Sequence, residues 1–252
     1  MLKLTTLSSS SKGNCHILEC DNSSIMIDCG INYRDIVNNI DVTKLRSVFI
    51  THRHQDHCKG AKELSACTNC EYYMNEETAE NVELYGEYRY KKTIHHRDVI
   101  DLEDFKVICF DVYHDVQNTN FLILHKESGI KILYITDTSN VSNIHFKDVD
   151  FFIIEGNFSK EWDLENAKYK RTNSEFGHLP IEDTVEFLLE NVNVNTKGIF
   201  ISHISHSFKK IEEFESIVRN EMPINLRVCA LNNQIIGKQT FILKEDIEID
   251  FI

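Results

Sequence analysis

Four metal-binding side chains, His52, His54, Asp56 and His57, fall within six consecutive positions in the order H-x-H-x-D-H. Imidazole nitrogens and carboxylate oxygens are the donors that zinc and first-row divalent cations take. Alternate residues of an extended chain share a face, so His52, His54 and Asp56 could aim at one point. Asp56 and His57 are neighbours and would face apart on a strand, so the chain must turn there. Two adjacent ions satisfy the spacing most simply, with His52 and His54 on one and Asp56 and His57 on the other.

Such a group needs a stiff mount. The apolar run Val48-Phe49-Ile50 precedes it and Cys58-Lys59-Gly60-Ala61 follows, which predicts a buried strand, a ligand-bearing loop and then a helix. Further strands are predicted at residues 2–7, 15–20, 24–28, 71–74, 105–112, 120–125, 130–136, 151–154 and 198–202, with short strands at the C-terminus. Helices are predicted at residues 34–40, 59–66, 75–85, 180–192 and 209–220. The helix from Pro180 is well marked: proline suits its first turn, Glu182 and Asp183 suit its positive end, and Ile181, Val185, Leu188 and Leu189 form one apolar stripe. Residues 158–176 have no clean period and read as a loop or lid. Strand blocks followed by helices suit two packed sheets with helices outside, although periodicity alone fixes only a mixture of α and β.

The H-x-H-x-D-H segment resembles the signature of the metallo-β-lactamase fold. The resemblance runs over nearly all of the chain, because each further landmark of that superfamily has a candidate here, in order. Asp28 follows Ile25-Met26-Ile27, His114 follows Asp111-Val112-Tyr113, Asp137 follows Leu133-Tyr134-Ile135-Thr136, and His203 follows Ile199-Phe200-Ile201-Ser202. Within the superfamily the chain resembles the YycJ (WalJ, VicX) group of bacterial and phage proteins. Gly13-Asn14-Cys15, His114-Asp115-Val116, Thr136-Asp137-Thr138, Glu155-Gly156-Asn157-Phe158 and Gly177-His178-Leu179 carry that likeness. The C-terminal half is also similar to the ribonuclease Z enzymes. One departure is Pro180, where the group usually has serine.

The resemblance implies an α/β protein with an αββα four-layer sandwich, and a phosphodiesterase with DNA exonuclease activity. It implies one metal on His52, His54 and His114, a second on Asp56, His57 and His203, and Asp137 bridging them. The donors suit Zn²⁺ or Mn²⁺ without choosing between them. A dinuclear pair can bind and deprotonate a water to attack phosphorus. Asp56 counts as catalytic as well as a ligand. His178, paired with Glu155 as in ribonuclease Z, is the implied general acid for the leaving oxygen, and Asp28 is expected to orient a ligand histidine.

Composition narrows the rest. The chain has 252 residues, two prolines, and no linker or repeat, so one domain over residues 1–252 is expected. Neither a signal-peptide core nor a membrane-spanning window is evident, which points to the cytoplasm and to reduced thiols for the eight cysteines. Cys67 and Cys70 have metal-type spacing but lack a second pair. With 27 basic and 40 acidic residues, the net charge of −13 argues against a broad surface that coats nucleic acid. That charge leaves a cyclic-nucleotide phosphodiesterase as the enzymatic rival, since a small anion needs no basic track. A metal-stabilised binding or regulatory protein without turnover is the alternative of another class, and homodimerisation stays open. The basic-aromatic runs at residues 88–92 and 168–171, His95-His96 and His206 read as solvated surface. The turn at residues 8–14 is either a phosphate cradle or a plain strand connection.

Overall fold

In the computed structural model, the described residues are 1–86, 90–161, 177–206, 211–224, 226–232 and 237–244. They form two seven-stranded sheets. The first holds β1 (Leu2–Ser10), β2 (Gly13–Glu19), β3 (Ser24–Ile27), β4 (Leu45–Ile50), β5 (Glu71–Met74), β6 (Lys91–Thr93) and the late β14 (Gln239–Leu243). Its order is β14-β1-β2-β3-β4-β5-β6. The second holds β7 (Val99–Asp101), β8 (Phe105–Val112), β9 (Asn118–His125), β10 (Lys131–Ile135), β11 (Phe151–Glu155), β12 (Gly198–Ser202) and β13 (Arg227–Ala230). Its order is β13-β12-β11-β10-β9-β8-β7.

Each sheet is antiparallel in one half and parallel in the other. β3, β4, β5 and β6 run parallel, as do β10, β11, β12 and β13. Parallel strands need crossovers, and these supply the outer helices. On the first sheet they include α1 (Tyr33–Val37), the short turn α2 (Gln55–Cys58), α3 (Ala61–Cys67) and α4 (Glu76–Asn81). On the second sheet they are α5 (Ile181–Asn191) and α6 (Ile211–Glu221).

Three apolar clusters fill the layers. One lies between the sheets and joins Leu4, Ile25 and Phe49 to Phe105, Phe121, Tyr134 and Phe200. A second packs the outer face of the second sheet against Leu188 of α5 and Phe214 of α6. A third packs the outer face of the first sheet against Ile36 of α1 and Leu64 of α3. The result is the αββα sandwich that the resemblance implies and that the strand and helix blocks suit.

Three local differences from the sequence reading have plain causes. The helix capped by Asn75 stops at Asn81 rather than near residue 85, because Val82 and Leu84 leave the helix to bury themselves in the outer cluster. The Lys91 ammonium then caps its end on the Ala79 and Val82 carbonyls. β6 and β7 are three-residue edge strands, too short for a periodic signal. Asp56 and His57 lie on the helical turn α2 with His54 at its N-cap, which supplies the turn their adjacency demands. Most of the expected lid at residues 158–176 and the run at 168–171 lie outside the described residues, as do residues 87–89. Among the described residues no helix is long and apolar enough to cross a membrane.

Candidate active site

The C-terminal ends of β3, β4, β10, β11 and β12 open on one edge of the sandwich, where ligands of parallel sheets characteristically sit. β8 is antiparallel to β9, and β9 to β10, so β8 also ends on that edge. The seven candidate ligands follow these strands directly, and the structure brings all of them together. Asp28, Asp137 and His203 take left-handed backbone angles, with φ of 57°, 51° and 49°. Each costs about 1–2 kcal/mol for a residue with a Cβ. The conformation curls each strand end inward and aims the side chain at the shared edge.

The donor atoms of His52, His54 and His114 lie within 4.8 Å of one another, and so do those of Asp56, His57 and His203. In the first set, His54 Nδ1 is 3.0 Å from His52 Nε2 and 3.4 Å from His114 Nε2. In the second, Asp56 Oδ2 is 3.5 Å from His57 Nε2 and 3.6 Å from His203 Nε2. Asp137 lies between the sets: Oδ2 is 2.9 Å from His57 Nε2, and Oδ1 is 3.5 Å from His203 Nε2 and 4.0 Å from His114 Nε2.

The far side of these imidazoles fixes which nitrogen faces the centre. The Thr51 hydroxyl is 3.0 Å from His52 Nδ1 and donates to Asp28 Oδ1 at 2.9 Å. Asp28 Oδ2 is 2.8 Å from His57 Nδ1 and accepts from the Tyr134 hydroxyl at 3.2 Å. The Gly177 carbonyl takes His114 Nδ1–H at 3.2 Å, and Glu155 Oε1 takes His203 Nδ1–H at 3.1 Å. Those four rings therefore present Nε2, while His54 presents Nδ1 and turns Nε2 toward Asp115 at 3.5 Å. Second partners of this kind orient ligand histidines in metal sites.

Two glycines permit the close packing. A Cβ on Gly30 would sit 1.7 Å from the Asp56 carbonyl oxygen, so only glycine lets β3's exit lie against α2. Gly177 has φ of 81° and would put a Cβ 2.8 Å from His114 Nδ1.

Electrostatics divide the cluster. Burial pushes His52 well below its ordinary value, and burial likewise lowers His114. Both are neutral lone-pair donors. His57 and His203 are also buried, which opposes protonation, but carboxylates prevail. Asp28, Asp137 and Asp56 raise His57 well above the usual imidazole range, and Asp137, Asp56 and Glu155 raise His203 to about 9. Asp137 is held well below the carboxylate range against its burial by His203 and His57.

The donor set fits divalent cations on its own geometry. His203 Nε2 is buried without a hydrogen-bond partner. The N–H groups of His52 and His114 are directed away, so lone pairs converge on His54 Nδ1, an arrangement a cation relieves.

His178 and Glu155 meet at the mouth. His178 Nδ1 is 2.8 Å from Glu155 Oε1 and 3.2 Å from Asp137 Oδ1, and its side chain is 16% exposed. Its burial opposes protonation, yet the two carboxylates hold it well above the ordinary imidazole range. Pro180 leaves the α5 N-cap without a side-chain bond. Thr184 in its first turn donates to the Glu155 carbonyl at 2.6 Å, which ties the helix to the end of β11.

Some neighbours escape a reading of the sequence. Thr51, Asn157 and His16 sit in ordinary strand or turn contexts. Asn157 donates to the His203 carbonyl at 2.8 Å. His16 is fully buried beneath the site, 3.0 Å from the Thr6 hydroxyl, and burial pushes it down to about 3. The turn expected at residues 8–14 is confined to Ser11 and Lys12, because Ser8–Ser10 extend β1 and Gly13-Asn14 open β2. From these strand ends the Ser9 hydroxyl accepts the His203 N–H at 2.9 Å, and Asn14 donates to the Asp56 carbonyl at 3.3 Å. His206 is half-buried. Cys67 and Cys70 are free thiols.

The beta-lactamase superfamily domain matches residues 23–203, which include every candidate ligand. The chain belongs to the beta-lactamase superfamily. It is 28% identical over 222 residues to the exodeoxyribonuclease WalJ of Streptococcus pneumoniae, covering 81% of each chain. It is 27% identical over 220 residues to the exodeoxyribonuclease YycJ of Bacillus anthracis, covering 81% of this chain and 83% of that one. The metallo-beta-lactamase fold protein YhfI from Bacillus subtilis superposes with a TM-score of 0.73 at 15% identity, over 94% of this chain and 99% of that one. The superfamily likeness that the motifs carry in sequence is thus matched in family and in fold.

Proposed function

We propose that this chain is a metal-dependent phosphodiesterase that degrades DNA as an exonuclease, folded as one domain over residues 1–252 and acting in the cytoplasm. The observation that carries the proposal is the Glu155–His178 pair set at 2.8 Å beside two adjoining donor sets. Hydrolysis of a phosphodiester needs charge neutralised at phosphorus and a proton delivered to the leaving oxygen, and these groups provide for both. The exodeoxyribonuclease names of the WalJ and YycJ relatives support DNA as the substrate.

His52, His54 and His114 would hold one cation and Asp56, His57 and His203 the other, with Asp137 reaching both. Zn²⁺ and Mn²⁺ suit these nitrogen and oxygen donors. When bound, such a pair activates water and offsets charge on the non-bridging phosphate oxygens. The rest falls to the protein. Thr51, Asp28, Glu155 and the Gly177 carbonyl keep the imidazoles turned inward. Glu155 occupies His178 Nδ1, which leaves Nε2 as the nitrogen that gives its proton to the leaving alkoxide.

A cyclic-nucleotide phosphodiesterase is the second reading, favoured by the net charge of −13. One panel decides between them: linear duplex DNA, single strands, RNA and cyclic nucleotides, with and without chelator, wild type beside Asp56→Ala. The expected result is chelator-sensitive release of nucleotides from DNA that is steeply weakened by salt, with the variant inactive. Turnover of cyclic nucleotides alone, with little response to salt, would establish the second reading.

A further inference from the structure

A cleft of about 580 Å³ opens beside the site on the outer face of the second sheet. Its floor is apolar: Ile108 and Phe110 come from β8, and the Phe146 ring packs on Phe110 at 5.1 Å. Its rim is different in kind. Tyr113, next to the candidate ligand His114, is 60% exposed. Arg97 and His145 line the cleft and are exposed. The Arg97 guanidinium forms no ion pair among the described residues.

The rim is ordered. Arg97 has φ of 71°, a state that side-chain-bearing residues rarely adopt, and its N–H is held by the Cys109 carbonyl at 2.8 Å. His96, also on the rim, accepts the Asp111 N–H on Nδ1 at 3.1 Å, so its ring proton sits on Nε2, which is a donor. Tyr113 is tied to the loop after Asp137 through its carbonyl, which takes the Ser139 N–H at 2.9 Å. The carboxylate on the rim, Asp111, is engaged by the Thr119 hydroxyl at 2.9 Å.

We propose that this cleft is a subsite for a nucleotide of the bound DNA strand, placed beyond the bond being cut. An exposed aromatic ring over an apolar floor takes the flat face of a base, and a guanidinium beside imidazole donors takes the adjoining phosphate. The volume suits one nucleotide rather than a protein segment, and the cleft begins at the residue preceding His114. The subsite gives an acidic protein a local hold on a polyanion where its overall field opposes one. The inference rests on the phosphodiesterase reading above.

The test compares metal-loaded wild type with the variant Arg97→Ala/Tyr113→Ala/His145→Ala on thymidine oligonucleotides of increasing length. Bis(p-nitrophenyl) phosphate, too short to reach the cleft, serves as the reference substrate. In the wild type, kcat/KM relative to that reference should rise with length. The variant should lose about tenfold of the rise, the scale of one base stack. Its dependence on log salt should become shallower by roughly 0.7 for each phosphate that the altered rim no longer neutralises. The same length dependence and salt slope in a folded, equally metal-loaded variant would overturn the subsite while leaving the phosphodiesterase intact. A wild type that hydrolyses neither the reference nor any oligonucleotide would overturn both.

Discussion

His178 is held through Nδ1 by Glu155 and Asp137, and both carboxylates favour its charged form. A general acid acts only while protonated, and its raised value keeps it so at neutral pH. The rate should therefore fall at alkaline pH as His178 loses its proton. His178→Ala should lower kcat by about 10²–10⁴-fold and remove that alkaline limb. Its metal content should stay that of the wild type, because His178 Nδ1 is engaged by carboxylates. Stopped-time rates from neutral to alkaline pH, with elemental analysis of the same samples, check this. A variant that loses metal along with activity would make His178 a ligand instead. The H-x-H-x-D-H spacing made most of the first cluster legible, because short-range geometry limits where adjacent donors can go. Of the supporting groups, Asp28 and Glu155 were expected from the resemblance and stand where it put them; Thr51, Asn157 and His16 were not legible. Thr51 and Asn157 act through hydrogen bonds to residues that only the fold brings near, and His16 looks like one polar residue in an apolar strand.

Asn75 shows how whole elements are registered. Its Oδ1 accepts the Thr78 N–H at 2.9 Å and caps α4. Its Nδ2 donates at 3.0 Å to the Thr51 carbonyl, in the His52 loop, and at 3.0 Å to the Gln117 carbonyl, in the His114 loop. One buried amide thus ties two ligand-bearing loops to one helix start. Asn75→Asp keeps an equally good cap acceptor but replaces the two donations with repulsion between oxygens. Losing buried donations of this kind costs about 1–3 kcal/mol. The variant should keep α4 helical yet bind metal about tenfold or more weakly, as competition with a chelator would show; equal metal affinity would rule out the tie. The strands that carry ligands were visible as apolar runs, and the helix of residues 180–192 as a stripe, although its buried face takes Phe187 and leaves Leu189 exposed. The end of α4 was not, because the burial of Val82 and Leu84 overrides a helical pattern that would otherwise continue. The short edge strands β6 and β7 are set by their neighbours rather than by their own sequence.

At the scale of the molecule, the sandwich collects strand ends that are far apart in the chain onto one edge. Asp28 and His203 are 175 positions apart, yet both curl inward through left-handed angles at the ends of parallel strands. Sequence could place these positions in order, but only their resemblance to a known superfamily assigned them to one centre. Net charge concerns the solvent field and bears little on the centre, where cations, once bound, would dominate the local potential. The most direct measurement is an anomalous difference map from crystals grown with Zn²⁺ or Mn²⁺. Two peaks about 3.5–4 Å apart are predicted, one among His52, His54 and His114, the other among Asp56, His57 and His203, with Asp137 reaching both. Ions elsewhere on the surface, with these seven side chains bare, would contradict the account.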